Sequence, residues 1–161
     1  MTYRVIQWST GNVGRHAVRC IARHPDLELV GLWVHSPDKA GRDAGDIVGI
    51  GPTGVLATND VDELLALEAD CVSYTATADL RPGDAVKDMV RILSSGKNVV
   101  SSSVVSLIYP PHVHPNVLQK LETACATGGV SCFTSGIDPG WANDLLPFVL
   151  TGACEYIDEL R

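Results

Sequence analysis

The fold is decided close to the amino terminus, where residues 3–17 read YRVIQWSTGNVGRHA. A β-prone run ends at a turn rich in small residues, and a helical pattern follows at once, which is how a βαβ unit begins. The turn has the spacing G-x-G-x-x-G, with Ser9 in the first glycine position and Gly11 and Gly14 in the other two. Gly11 lets the backbone approach a pyrophosphate, Gly14 lets helix and strand pack closely, and helix N–H groups face the anion. The stretch predicts a dinucleotide-binding loop, the alternative being a tight turn without a ligand.

Short β-rich runs alternate with helical patterns along the rest of the chain, as in a parallel sheet covered on both faces by helices. Six strands are predicted, at residues 3–8, 27–34, 55–57, 71–75, 98–101 and 130–134. Helical faces lie around residues 13–21, 61–65, 86–93 and 117–125, the third ending at Gly96 and the fourth running from Pro115 to Gly128. The fold class is therefore α/β, a Rossmann-type doubly wound parallel sheet.

Local signals refine this outline. The buried face of the first helix is predicted from Val13, Ala17, Cys20 and Ile21. Asp60 with Glu63 forms a variant of the capping box before the second helix. Residues 41–54 hold five glycines and no hydrophobic period, which predicts a loop over the open side of the cofactor site. Residues 109–115 hold three prolines and predict a stiff turn.

Composition excludes several classes of protein. The chain has 161 residues, 45% of them hydrophobic, which suits one domain with a real core and excludes global disorder. A net charge of −7 disfavours nucleic acid and membrane surfaces as partners. Five scattered cysteines without a C-x-x-C pair read as small core residues in a reducing compartment, with no metal site. Since no signal-type segment or membrane-length apolar run is visible, we expect a cytoplasmic protein.

The choice of dinucleotide depends on the end of the second predicted strand, where residues 34–39 read VHSPDK. An Asp or Glu immediately after that strand would bind the ribose 2′-hydroxyl of NAD, and none stands there. His35 and Ser36 can instead donate hydrogen bonds to a 2′-phosphate, and Lys39 or Arg42 can supply charge. NADP(H) is therefore favoured. NAD(H) stays possible because of Asp38, and Lys39 can also be an ordinary surface lysine.

Three motifs together resemble a known family: WSTGNVGRH at residues 8–16, GPTGV at 51–55 and SGIDPGW at 135–141. They are similar to the dihydrodipicolinate reductase-like family, most closely to its branch of 2,4-diaminopentanoate and native amine dehydrogenases. The resemblance runs over essentially the whole chain. It implies an NAD(P)-dependent oxidoreductase acting on a C=N or C–N bond, with a small-molecule amine, imine or carbonyl substrate.

The resemblance also implies where the cofactor lies and how the chain is divided. Gly11, Asn12, Val13 and Gly14 would line the pyrophosphate, His35 and Ser36 the adenosine ribose, and Thr75 and Ala76 the nicotinamide side. Residues 1–136 would form the NAD(P)-binding domain. Residues 137–161 would begin a truncated α+β catalytic and dimerisation domain, so the full-length form is expected to be a homodimer. We expect a strand to start at residues 153–161, and Leu145, Leu146, Phe148 and Val149 to be left uncovered.

Catalytic candidates are weaker than the cofactor loop. Ser102 belongs to a serine run, Ser101 to Ser103, which follows a strand at the edge where such sheets bind ligands, although the run also suits an ordinary loop. The diaminopentanoate and amine dehydrogenase branch has an acidic residue just after this strand, and this chain has none there.

Two further candidates come from the prolyl turn and the last motif. His112 and the nearby His114 can shuttle protons, with helix capping as the alternative. Asp138 and Asn143 can polarise an amine or carbonyl beside Trp141, the alternative being a domain-joining turn. Asp144 is predicted as the N-cap of the following helix, with Pro147 in its first turn. A non-catalytic NADP(H)-binding module or sensor is the alternative function.

Overall fold

Six parallel strands form one sheet in the computed structural model, which describes residues 1–160. The strands are β1 (Tyr3–Trp8), β2 (Leu27–Trp33), β3 (Ala57–Thr58), β4 (Cys71–Tyr74), β5 (Asn98–Ser101) and β6 (Cys132–Thr134). They are ordered β3-β2-β1-β4-β5-β6 and every pair is parallel. The strand order reverses between β1 and β4, and open α/β sheets bind ligands at the carboxyl edge of such a switch point. The predicted Rossmann-type α/β fold is confirmed.

Helices cover the sheet, joined by short 3₁₀ and π turns. The helices are α1 (Asn12–Arg23), α2 (Ala44–Val48), α3 (Val61–Ala66), α4 (Pro82–Ser94), α5 (Pro115–Gly128) and α6 (Leu146–Thr151). The 3₁₀ turns are Pro37–Lys39, Val105–Ile108 and Pro110–His112, and Trp141–Leu145 is a π turn. The stop predicted at Gly96 and the predicted limits of α5 are confirmed, as is the prolyl turn before α5.

Two apolar cores lie on opposite faces of the sheet. On one face Ile6, Trp8, Val72, Tyr74 and Val99 pack against Leu64 of α3, Met89, Ile92 and Leu93 of α4, and Leu121 of α5. On the other face Val5, Leu29 and Leu32 pack against Val18 and Ile21 of α1 and Ala44 and Val48 of α2. This second face is not covered over its whole width, since Val100 of β5 and Phe133 of β6 are exposed.

The buried face of α1 differs from the prediction. The helix buries Gly14, Val18 and Ile21, whereas Val13 and Cys20 are exposed. The buried face of α1 is rotated relative to the prediction because Gly14, which has no side chain, is the residue that lies against the end of β1. The expectation of core cysteines is wrong for Cys20 and Cys154, which are exposed, whereas Cys125 and Cys132 are partly buried and pack against the first core.

Residues 41–54 do not form the loop that was predicted over the cofactor site. The segment contains α2, whose N-cap is Asp43, and the Arg19 side chain of α1 donates to the Val48 carbonyl at its end. Residues 50–53 share a hollow with Leu27 at the start of β2. They therefore lie at the opposite end of the sheet from the Ser9 turn. The Asp43 cap and the burial of Val48 stabilise this helix, which the high glycine content of the segment did not predict.

The carboxyl-terminal segment differs in two details. Asp144 does not cap a helix, because its N–H donates to the Gly140 carbonyl and so places it inside the preceding turn. Pro147 does lie in the first turn of α6, as predicted. Residues 153–160 are irregular, so the strand expected there is absent from the described residues. A strand needs ladder hydrogen bonds to a neighbour, and none of the six strands pairs with this segment.

Candidate functional site

Residues 9–14, the turn after β1 together with the first residues of α1, lie at the carboxyl edge of the sheet where the strand order reverses. We call this segment the phosphate loop. Ser9 has a φ of 85°, in the left-handed region that favours glycine. Its Oγ accepts a hydrogen bond from the N–H of Gly11 at 3.4 Å. The serine in the first glycine position therefore adopts a backbone conformation that glycine would reach without strain.

Gly14 is required by a close approach between helix and strand. A Cβ at this position would lie 2.2 Å from the carbonyl oxygen of Ser9 and 2.9 Å from Oγ1 of Thr75. Gly11 is different, since a Cβ there would meet only the Ser9 Oγ, at 3.9 Å. Nothing within the fold thus requires glycine at position 11, and the space above it is open.

The N-terminus of α1 is open to an anion. No side chain caps it and its first turn has no acidic residue. The first N–H groups of an α-helix have no partner within the helix, and they carry the positive end of its dipole. Gly11, Asn12 and Val13 are exposed at this end. The arrangement suits a phosphate or pyrophosphate group.

The end of β2 lies beside the phosphate loop. The exposed His35 ring is tilted against Trp33, with ring centroids 6.1 Å apart, and Ser36 precedes the short Pro37–Lys39 turn. The ammonium of Lys39 donates to Oγ1 of Thr10 at 3.1 Å. Lys39 is therefore fixed against the loop and is not a freely solvated lysine.

Aromatic side chains form a base under the loop that the sequence analysis did not identify. Trp8 is fully buried and stacks on Trp33 with centroids 4.9 Å apart, and it lies 5.9 Å from Tyr74. These residues end β1, β2 and β4. The sequence places an aromatic residue at the end of each of these strands, but that the three strands are neighbours is known only from the strand order.

The loop after β4 begins next to the phosphate loop. Thr75 Oγ1 accepts from the Gln7 amide at 2.8 Å and donates to the Trp8 carbonyl at 3.1 Å. Ala76 is buried and its carbonyl accepts from the Ser103 hydroxyl. Thr75 and Ala76 thus lie at the predicted edge. Gln7, which the sequence analysis passed over, connects this loop to the Ser9 turn.

A partly buried ion pair anchors the far end of the same loop to α4. The Tyr74 hydroxyl donates to the Asp88 carboxylate at 2.9 Å, and Arg81 lies 3.6 Å from it. Burial raises the pKa of Asp88, while Tyr74 and Arg81 act in the opposite direction. Burial also raises the pKa of the Tyr74 phenol, and the charge of Asp88 raises it further. These contacts hold residues 75–81 between β4 and α4.

The catalytic candidates have different surroundings. Ser101 and Ser103 are buried and bond within their own turn, the Ser103 N–H donating to Ser101 Oγ at 2.8 Å. Ser102 is the exposed member of the run, and its N–H donates to the Tyr74 carbonyl. It therefore lies next to the loop that begins with Thr75.

The histidines and Asp138 lie on other loops. His114 caps α5, its Nδ1 accepting from the Asn116 N–H at 3.3 Å, which confirms the alternative given for it. His112 is exposed and packs edge-on against Tyr109, with centroids 4.7 Å apart. Asp138 is exposed and accepts from the Asn143 amide. Within residues 1–160, no hydrogen bond joins any of these groups to Ser102.

An apolar groove of about 670 Å³ lies beyond β6. Phe133, Trp141 and Phe148 line it and are 63, 53 and 81% exposed. Leu145, Leu146 and Val149 are also uncovered, as expected. Trp141 therefore lines a groove at the surface and is not buried in a turn.

Two negative findings concern residues 1–160. No helix in this range is both long and apolar enough to cross a membrane. The same range holds no group of three or more His, Cys, Asp or Glu side chains placed to bind a metal ion.

Comparison with known proteins gives the family. The family described as dihydrodipicolinate reductase, N-terminus, matches residues 5–103. An amine dehydrogenase of Streptomyces virginiae is 41% identical over 157 residues, which are 97% of this chain and 44% of that protein. A 4-hydroxy-tetrahydrodipicolinate reductase of Synechococcus elongatus is 30% identical over 128 residues, 80% of this chain and 45% of that protein.

A solved structure agrees with these relatives. The amine dehydrogenase of Mycobacterium smegmatis matches with a TM-score of 0.78 at 26% identity, over 98% of this chain and 46% of that one. The chain spans less than half the length of each of these three proteins. The family match at residues 5–103 takes in the phosphate loop and the strands that surround it. The chain therefore belongs to the dihydrodipicolinate reductase-like family, where it corresponds to the N-terminal domain and is similar to amine dehydrogenases.

Proposed function

We propose that this chain is the NAD(P)-binding half of an oxidoreductase that acts on a C=N or C–N bond. The observation that carries the proposal is the phosphate loop, in which Gly14 lies against the Ser9 carbonyl and the uncapped end of α1 opens at the switch point of the sheet. The residues present fit a dinucleotide, because the N–H groups of α1 are free for a pyrophosphate and the space above Gly11 is open. When bound, the dinucleotide supplies or accepts the hydride.

Each part of the dinucleotide has its own group of residues in this proposal. Gly11, Asn12, Val13 and Gly14 line the pyrophosphate, with the backbone N–H groups of the last three as donors, and Ser9 sets the turn before them. His35 and Ser36 contact the adenosine ribose, and Thr75 and Ala76 border the nicotinamide. The aromatic base under the loop keeps these three strand ends at fixed spacing.

NADP(H) is the preferred dinucleotide in this proposal. No carboxylate stands directly after β2, and the Lys39 ammonium is held 3.1 Å from Thr10. A fixed cation beside His35 and Ser36 favours a 2′-phosphate over a 2′-hydroxyl.

Titration of the chain with NADPH and NADH tests the preference. We expect NADPH to bind more tightly, and Lys39→Met to weaken NADPH about tenfold while leaving NADH within about twofold. Lys87→Met is the matched control, because Lys87 is an exposed lysine on α4 whose partner is Asp84. Equal affinities for the two dinucleotides in the wild type would contradict the NADP assignment, and no binding of either would contradict the function.

The substrate and the catalytic groups belong to the whole protein and are proposed from the family. The substrate is a small amine, imine or carbonyl compound, bound where a second, dimer-forming domain follows residues 1–136. Among the catalytic candidates Ser102 is favoured, since it lies exposed beside the loop that starts at Thr75. His112 and Asp138 lie on other loops and are the weaker candidates.

A further inference from the structure

A fully buried amide lies directly beneath the phosphate loop. Gln7, the penultimate residue of β1, is 0% exposed. Burying an amide costs free energy unless its hydrogen bonds are made, so such a residue in a core has a definite set of partners. The partners of its Nε2 all lie at the site, while its Oε1 has no hydrogen-bond partner within residues 1–160.

The contacts of Gln7 all run from its amide nitrogen, which has two hydrogens and therefore shares one of them between two acceptors. Its Nε2 donates to the carbonyl of Ser9 at 3.0 Å, to the carbonyl of Trp8 at 3.1 Å and to Oγ1 of Thr75 at 2.8 Å. The Thr75 hydroxyl donates its proton to the Trp8 carbonyl, so its oxygen acts as the acceptor in the bond with Gln7. The surrounding acceptors therefore fix which end of the amide faces the loop.

The Ser9 carbonyl lies between Gln7 and the start of α1. Gln7 donates to it at 3.0 Å, and Gly14 approaches it so closely that a Cβ at that position would lie 2.2 Å away. Ser9 itself has a φ of 85°, which a serine adopts only where its surroundings hold it there. The direction of this peptide sets the course of the chain into the first turn of α1.

We propose that Gln7 is a positioning residue for dinucleotide binding. It holds the Ser9 turn in the conformation that aims the N–H groups of α1 at the pyrophosphate, and through Thr75 it ties that turn to the nicotinamide side. Gln7 touches neither the dinucleotide nor the substrate. The inference rests on the proposed function for its ligand, and on the geometry of the loop for its mechanism.

The test compares two buried polar side chains that both donate hydrogen bonds to backbone carbonyls. Gln7→Met keeps the length of the side chain and removes the donor. Lys97→Met does the same for Lys97, which is 6% exposed, donates to the Leu65 carbonyl at 2.7 Å, and precedes β5 at the opposite end of the sheet. Unfolding is measured for both variants, and NADPH affinity is measured well below each midpoint.

We expect both variants to unfold more easily and only Gln7→Met to lose NADPH affinity, by about tenfold. A second measurement does not need the ligand: amide hydrogen exchange should rise in Gln7→Met, and not in Lys97→Met, at Ser9 and Arg15, whose N–H groups donate to the carbonyls of Trp33 and Gly11. Thr75→Val removes the hydroxyl that accepts from Gln7 and should raise exchange at the same amides. This variant keeps the test available if Gln7→Met does not fold.

The outcomes separate the two proposals. Failure of the wild type to bind either NADPH or NADH contradicts the proposed function, and the exchange data then still decide whether Gln7 holds the loop. Unchanged exchange at Ser9 and Arg15 in both Gln7→Met and Thr75→Val would overturn the inference. An equal loss of NADPH affinity in Lys97→Met would do so as well, because it would trace the effect to general destabilisation.

Discussion

At the scale of single residues, the site depends on two glycines that do different work. Gly14 is confined by the protein itself, since a Cβ would lie 2.2 Å from the Ser9 carbonyl. Gly11 is confined by nothing closer than 3.9 Å, and in the proposed function its lack of a side chain leaves room for the dinucleotide. The proposal therefore assigns one glycine of the motif to folding and the other to binding.

This difference predicts opposite phenotypes for two similar substitutions. Gly14→Ala should lower the free energy of unfolding by about 3 kcal/mol, because the backbone must shift to relieve the contact. Gly11→Ala should cost less than about 1 kcal/mol, since an extended residue before a helix accepts alanine with a small penalty. It should nevertheless weaken NADPH binding at least tenfold. Urea unfolding and NADPH titration of both variants check this, and a stable Gly14→Ala protein with normal binding would contradict it.

Some site residues could be predicted from sequence and others could not. The loop was predictable because the G-x-G-x-x-G spacing encodes a local turn, and Ser9 was found in its first position. Gln7 was not, because its partner Thr75 is 68 residues away and meets it only through the pairing of β1 with β4. Lys39 was identified as a source of charge, yet its contact with Thr10 required the fold.

At the scale of elements, caps decide where the short helices begin. Asp60 caps α3, its Oδ1 accepting from the N–H groups of Asp62 and Glu63. The reciprocal half of the predicted capping box is absent, because the Glu63 carboxylate accepts from the Thr58 hydroxyl instead. Thr58 also accepts from the Asp60 N–H and so replaces the glutamate in that role.

Asp43 caps α2 and also binds the end of the glycine-rich segment. Its carboxylate accepts from the N–H groups of Gly45, Thr53 and Gly54 and from the Thr53 hydroxyl. Burial raises the pKa of Asp43, but the hydrogen bonds from Thr53, Gly45 and Gly54 outweigh it and leave the pKa below its ordinary value of 3.8. One side chain thus closes the glycine-rich segment at residues 43–54.

A depressed pKa in the folded state gives stability that is present above the unfolded pKa and is lost as the pH falls through the folded value. Asp43→Asn should therefore be less stable than the wild type by about 1 kcal/mol at pH 7, and the difference should shrink below about pH 4. Asp46→Asn, an exposed neighbour in α2, is the control for loss of one charge. Urea unfolding across this pH range checks it, and a gap that widens towards acid would contradict it.

Element limits were predictable where the signal is local. Pro115 and Gly128 bound α5 as the sequence indicated, since both act on their own backbone. The buried face of α1 was predicted one residue out of phase, because the choice between Val13 and Gly14 depends on the distance to β1. The helix inside residues 41–54 was missed although its cap is local, a hydrogen bond from the Gly45 N–H to Asp43, because the five glycines of the segment favoured a loop.

At the scale of the whole molecule, the chain presents one polar and one apolar region at its surface. The phosphate loop and the ends of β2 and β4 form the polar region, and the groove beside β6 forms the apolar one. A contiguous apolar surface of this kind favours association with another surface. In the family resemblance this is where a further domain begins.

The isolated chain should therefore self-associate through the groove. Phe148→Glu, at the most exposed of its aromatic residues, should shift the chain towards monomer, and Tyr156→Glu should not, since Tyr156 lies on the irregular segment outside the groove. Size-exclusion chromatography over a range of concentrations measures the shift. A wild type that stays monomeric at high concentration would contradict the prediction.

Binding of a dinucleotide at the phosphate loop can be followed residue by residue in an NADPH titration of the ¹⁵N-labelled chain. With the amide resonances assigned, we predict that the largest shift changes fall at residues 9–14, with further changes at residues 35–39 and 75–76. Changes confined to the groove lined by Phe133, Trp141 and Phe148, or no change at residues 9–14 at saturating NADPH, would contradict the account.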